Sequence, residues 1–343
     1  QMRKKMILLA LTLFIGLSAC GNDDKELPDE PGKEQGGNGG DEPENPDNPS
    51  GNEPVSWYVA TTGNDGNSGT LDSPLKSISK ALLRVNPGDT IFLREGAYHE
   101  FVTPTRSGEK GKLITLKSYP GETAKIDGTG MTIKGWFSAL VQLKSVQYMT
   151  FENLHICNAT NSDVNTDPEG VYINGVSRDI TFRNCKVYNI KSTCLAGHNN
   201  GDWRSAHAFL VIGDDNGTPI RNLTIEKCEI YDMHTGTSET LTIAGNVDGF
   251  TIQDCEVHDV ENIGIIVAGG DNLNAGGNIS VNYARNGVVR RNKVYRCSHQ
   301  VSKDFWEGVY NNPAAYGAIG IYVCGGASTI IEQNIVWECD RAI

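Results

Sequence analysis

The eleven residues Phe250 to Val260, FTIQDCEVHDV, recur in altered form five more times along the chain. The copies are Met149 to Ala159 (MTFENLHICNA), Ile180 to Ile190 (ITFRNCKVYNI), Leu223 to Met233 (LTIEKCEIYDM), Gly287 to Cys297 (GVVRRNKVYRC) and Thr329 to Cys339 (TIIEQNIVWEC). In each, apolar residues alternate with polar ones, a polar pair or Cys marks a corner, and a second short alternation follows. The sixth position runs Leu154, Cys185, Cys228, Cys255, Asn292, Asn334. Successive copies start 31, 43, 27, 37 and 42 residues apart, too irregular for a helical repeat. Alternation at period two around small corner residues predicts strand, turn and strand. One such unit cannot bury its apolar face alone, so the copies must stack, and the chain is expected to be an all-β solenoid. Irregular spacing then hangs loops of different length on a regular frame, where function concentrates.

Each coil needs a further strand. GVYINGV, AFLVIGD, TLTIAGN, GIIVAGG and GIYVCGG, starting at Gly170, Ala208, Thr240, Gly264 and Gly320, supply it. Aligned on Gly175, Gly213, Gly245, Gly269 and Gly325, they give two wholly apolar columns, expected to face inward. These are Val171/Phe209/Leu241/Ile265/Ile321 and Ile173/Val211/Ile243/Val267/Val323. The outward columns, Tyr172/Leu210/Thr242/Ile266/Tyr322 and Asn174/Ile212/Ala244/Ala268/Cys324, are mixed and hold no charge. Cys185, Cys228 and Cys255 in one column, and Cys297 and Cys339 in another, are expected to be stacked thiols, because parallel side chains make a poor start for a disulfide. Asn292 and Asn334 continue the first column as an amide ladder. His258 shares a column with Tyr188, Tyr231, Tyr295 and Trp337, which predicts an aromatic stack.

Charge divides the chain. Residues 21–54 hold eleven acids and two lysines, while the start holds Arg3, Lys4 and Lys5. The remainder is mildly acidic, with no basic face for nucleic acid. Residues 1–20 read as a leader: a basic start, an apolar run too short to span a bilayer, and Leu17-Ser18-Ala19-Cys20, which resembles the lipobox of bacterial lipoproteins. That resemblance implies lipidation of Cys20, a membrane anchor and an outer-membrane, periplasmic or surface location in a Gram-negative bacterium. Residues 21–54 are read as a disordered acidic tether, since Pro, Gly, Asn and acids leave nothing to bury. The solenoid is expected over 55–343. It stops two residues into what should be the next strand (Arg341-Ala342-Ile343) without a polar cap, which points to missing C-terminal coils.

Ahead of the repeats, Trp57 opens a strand, a Gly/Asn/Asp turn and a helix of about three turns from Ser73-Pro74. Its Leu75, Ile78, Leu82 and Val85 share a face suited to capping the solenoid. Strands are expected at 90–94, 98–102 and 113–119. The run YVATTGNDGNSGT…SPLKSISKAL…PGDTIFLREGAYHE…GKLITLKSYPGETAKIDGTG resembles the N-terminal cap and first coils of right-handed parallel β-helix carbohydrate enzymes, among them family 9 polysaccharide lyases and some β-helical glycoside hydrolases. The resemblance implies a right-handed parallel β-helix of three-strand coils that binds polysaccharide, with lyase chemistry first and hydrolysis as the alternative. A monomer is the expected state.

Residues entering the first strands are Glu169, His207, Glu239, Ile263 and Ile319. With coils about 4.8 Å apart, Glu169 and Glu239 would lie roughly 10 Å apart around His207, just beyond the ≈ 6.5–9.5 Å of an inverting glycosidase pair. A corner polar ladder bonded to turn backbones is the plainer reading. Loops 191–206 and 298–318 add His198, Asp202, Trp203 and Arg204, and Lys303 and Trp306, with Tyr172 and Tyr322 on the sheet as further glycan contacts. A lyase needs a base, for which Arg204, Lys303 and Lys191 are candidates, and a neutralised uronate, commonly by Ca²⁺. Asp214 and Asp215 are the candidate calcium ligands, although Asp214-Asp215-Asn216-Gly217 is also turn chemistry. A non-catalytic glycan-binding or adhesin-like lipoprotein is the reading from another class.

Overall fold

The computed structural model describes residues 53–163, 165–194, 205–269, 281–302 and 317–343. The expected leader, with Cys20, and nearly all of the tether lie outside them. Pro54–Ile343 is one compact unit, a right-handed parallel β-helix built from sheets of nine, six and nine strands. The six-stranded sheet holds Ser138–Lys144, Pro168–Asn174, His207–Gly213, Glu239–Gly245, Ile263–Ala268 and Ile321–Cys324. Its first strand, SALVQLK, escaped the sequence alignment because no glycine ends it.

Stacking follows the repeat. Ile180 pairs with Met149 and Leu223, and Phe250 with Leu223 and Gly287. In the six-stranded sheet Val171 pairs with Phe209, Phe209 with Leu241, Leu241 with Ile265 and Ile265 with Ile321. All five are fully buried; in the core Phe151 stacks on Phe182 at 4.6 Å, and Phe182 meets Phe209 edge to face at 5.2 Å. Val323, expected inward, is 40% exposed, on the edge strand of the described six-stranded sheet.

Bends recur every five residues within a coil. Positive φ falls at 148, 153 and 158, at 179, 184 and 189, and at equivalent places in the next four coils. Asn and Asp fill most of these positions, since their short polar side chains tolerate the left-handed region best. They also link rungs: Asn189 Nδ2 donates to Asn158 Oδ1 (2.7 Å), and Asn158 Nδ2 to Asp127 Oδ1 (2.9 Å). The sixth repeat position comes just after the second bend. There the Cys185, Cys228 and Cys255 thiols donate to the carbonyls of Phe151, Phe182 and Ile225 on the preceding rung (3.5–3.7 Å). The amides of Asn292 and Asn334 do the same to Ile252 and Val289 (3.0 and 2.9 Å). Thiol and amide are thus interchangeable donors in one column, and every described Cys is reduced.

The cap differs in detail from expectation. Its helix is only Ile78–Leu82, capped by Ser77, whose Oγ accepts from Lys80 N. Leu75 instead bridges to Val59 as extended chain, and the Glu100 carboxylate takes the N–H groups of Ile78 and Ser79. Leu75, Ile78, Leu82 and Val85 are nonetheless all buried. The strand expected over 98–102 is Gly96–Tyr98, with Val102 bridging to Val141 of the six-stranded sheet.

Candidate functional site

The six-stranded sheet breaks its alternation at one place. A Cβ on Gly170 would lie 2.7 Å from Val187 Cγ1, and one on Gly320 2.4 Å from Val336 Cγ1, so this column points inward against the neighbouring sheet. It holds Gly170, Ala208, Thr240, Gly264 and Gly320, small residues because the room is taken. The next residue, Val171, also points inward. Two inward residues in succession turn the preceding position outward. Ala139, opposite Glu169, packs with Tyr172, Leu210 and Ile212, and Ile263, opposite Glu239, packs with Ile266. Strict period-two counting would have put Glu169 inside with Val171.

Three rungs thereby bring Glu169, His207 and Glu239 into one outward row. His207 Nδ1 lies 3.1 and 3.0 Å from the two Glu169 oxygens, and its Nε2 lies 3.8 Å from Glu239 Oε2. Thr242 Oγ1 donates to Glu239 Oε2 at 3.4 Å. Exposure grades along the row: the side chain of Glu169 is 0% exposed, that of His207 5% and that of Glu239 16%. Burial pushes the Glu169 carboxyl up to about 7 against the opposing pull of His207. Burial works against the imidazolium too, but Glu169 and then Glu239 outweigh it and raise His207 to about 10. Around neutral pH the row is therefore a cation held between two carboxyls, open to solvent only at Glu239. Such a row presents Glu239 to a bound ligand with the charged His207 behind it.

Asp167 was not singled out in the sequence. It is fully buried two residues before Glu169, and neither carboxylate oxygen has a hydrogen-bond partner. Burial, then the neighbouring Glu169, pushes it up to about 8. The signal available beforehand was its place in DPEG, one alternation step upstream of Glu169, but burial of its side chain depends on the fold.

The remaining candidates separate. Tyr172 is buried on the outer face and Tyr322 is half-buried on its last rung. Lys191 sits in a nine-stranded sheet, paired with Asp232 at 2.7 Å, away from the row. Asp214 links two rungs, accepting from Gly175 N (2.8 Å) and Asn174 Nδ2 (3.2 Å), while Asp215 Oδ1 accepts from Gly217 and Thr218 N (2.9 and 2.7 Å) in a turn. These three oxygens are engaged by N–H donors, as the turn chemistry of the segment implies. Among the described residues no three His, Cys, Asp or Glu side chains gather around a metal position. His198, Asp202, Trp203, Arg204, Lys303 and Trp306 lie outside the described residues.

A family model described as "Pel9A-like, right handed beta helix region" matches residues 57–261. The uncharacterized protein YwoF of Bacillus subtilis is 31% identical over 287 residues, 83% of this chain and 57% of that protein. Pectate lyase PEL9 of Emericella nidulans is 30% identical over 142 residues, 37% of this chain and 33% of that one. The chain thus spans little more than half of the first relative and a third of the second. In fold it is similar to the GH136 lacto-N-biosidase from Eubacterium ramulus, with TM-score 0.63 and 18% identity over 83% of this chain and 52% of the other.

Proposed function

This chain belongs to the family of Pel9A-like right-handed β-helices, and on that premise we propose that it is a carbohydrate-active protein. It binds a polysaccharide across the outer face of the six-stranded sheet and cleaves it. The observation that carries this reading is the Glu169–His207–Glu239 row, whose one solvent-facing end is Glu239. A single accessible carboxylate suits β-elimination better than a two-carboxylate hydrolysis. Glu239 takes the proton α to a uronate carboxylate. The freed electron pair forms the new C=C bond as the glycosidic C–O bond breaks, and the leaving oxygen takes a proton from water, whose hydroxide is neutralised by the proton that Glu239 later releases. His207 supplies positive charge beside the base, and Glu169 holds its ring in place. Arg204 and Lys303, the bases expected from the sequence, lie outside the described residues and remain the alternative for that step. Lipid anchoring through Cys20, an envelope location and a monomeric state belong to the same proposal on the same footing.

Hydrolysis is the second reading, favoured by the two glutamates flanking one imidazole. Against it, Glu169 has both oxygens on His207 and no exposed surface. The test is to incubate the protein with uronic-acid and neutral polysaccharides, with and without chelator, following the ultraviolet absorbance of an unsaturated product and the release of reducing ends. Absorbance with reducing ends supports elimination, and reducing ends alone support hydrolysis. Binding without either leaves a glycan-binding protein and overturns the catalytic role of Glu239.

A further inference from the structure

One rung before the row, the turn Gly135–Trp136–Phe137 leads into Ser138–Lys144. We propose that Trp136, Phe137, Tyr172 and Asp167 form a binding subsite for one sugar ring, adjacent to the Glu169–His207–Glu239 row. The proposal rests on the reading that this chain handles a glycan, and it adds a site and the chemistry that site selects.

Three independent features meet there. Trp136 is 49% exposed, a large flat apolar surface left in water. Phe137 takes φ 55°, a conformation that a bulky side chain avoids, and in it the ring packs on Tyr172 at 5.3 Å. Left-handed backbone at such a residue persists only when its surroundings hold it, and it is commonest where a side chain must be aimed. Third, the strand pairing that sets Pro168 opposite Ser138 puts Asp167 opposite Phe137. The two segments are tied by Asp167 N to Gly135 O (3.1 Å), Ser138 N to Asp167 O (3.0 Å) and Gly135 N to Thr166 Oγ1 (3.1 Å). These bonds fix the Asp167 backbone while its carboxyl, fully buried, has no partner of its own.

A sugar ring has an apolar C–H face and a rim of hydroxyls. An exposed indole suits the face, and a buried carboxyl without a protein partner suits the rim. Raised to about 8 by burial and by Glu169, Asp167 is protonated at neutral pH and both donates and accepts. His207 is the other charged group acting on it, in the opposite sense. Asp167 therefore offers a ring hydroxyl both a donor and an acceptor at this subsite.

The experiment measures binding, not turnover. Full-length Glu239→Gln protein is titrated with polygalacturonate, xylan and galactan, by affinity electrophoresis and tryptophan fluorescence. Trp136→Ala is expected to weaken binding at least tenfold and to remove the fluorescence response. Asp167→Ala should weaken it similarly, whereas Asp167→Asn, which keeps a donor and an acceptor, should bind nearly as the parent does. Raising the pH above 8 should weaken the parent and spare Asp167→Asn. Unchanged affinity in Trp136→Ala, with an unaltered circular dichroism spectrum, overturns the subsite and leaves the glycan reading standing. If the parent binds none of the three probes, the glycan reading falls and the subsite with it.

Discussion

His207 Nδ1 meets both carboxylate oxygens of Glu169, at 3.1 and 3.0 Å, across adjacent rungs of the six-stranded sheet. This contact fixes the imidazole so that its other nitrogen is directed to Glu239, the member of the row that reaches solvent.

Glu239→Gln should therefore cut turnover of any cleaved glycan by at least ~100-fold, the usual worth of a positioned proton-transfer group. Thermal stability should change little. Retained turnover would move the chemistry to another residue.

Glu169→Gln removes the larger of the two charges that raise His207. The imidazole then loses its proton at lower pH. The alkaline limb of the pH–rate profile should move to lower pH, with no such shift for Asp232→Asn, whose carboxylate pairs with Lys191 elsewhere.

Asp167 gives a pH test that needs no substrate. Its folded-state value is about 8 against an ordinary 3.8, so its contribution to stability is complete below pH 3.8 and is lost progressively as the pH rises to 8. Asp167→Asn removes that loss. Thermal unfolding should show the variant gaining on the parent between pH 4 and 8, by several degrees at the upper end, and level with it below that window. A constant difference across the range would show that the carboxyl does not titrate there.

The corner ladder predicts an asymmetry between donors. Asn292 accepts from Cys255 N (2.9 Å) and donates to Ile252 O (3.0 Å) and Asn334 Oδ1 (3.0 Å). Asn292→Ala should cost about 2 kcal/mol, since buried partners lose their bonds together. Cys228→Ala removes only weak thiol contacts, to the carbonyls of Phe182 and Glu226 (3.7 and 3.4 Å), so chemical denaturation should show a smaller loss.

The small column sets a steric limit. Gly170→Val places methyl groups where Val187 already stands, and overpacking of this kind costs about 1–3 kcal/mol. A variant as stable as the parent would mean that the two sheets can move apart there.

Much of this fold was legible in the chain because a solenoid makes each rung the neighbour of the next, so that tertiary pairing follows repeat spacing. The inward columns, the thiol and amide corner and the stack of Tyr188, Tyr231, His258, Tyr295 and Trp337 (4.1–5.3 Å between rings) all follow from aligning repeats. Glu169, His207 and Glu239 fell into one column by the same alignment. The helix is shorter than its apolar spacing of three and four predicts, because that spacing does not reveal that Leu75 pairs with a strand.

What the residues settled unaided is period and order: which side chains share a column, since that depends only on counting along the chain. The tertiary structure decided direction and access. Whether Glu169 faces in or out turns on how much room Val187 leaves beside Gly170. Asp167 is buried without a partner only once the chain has folded and set the segment of Phe137 and Ser138 beside it. Both are matters of packing between segments, and local sequence does not encode the space between them.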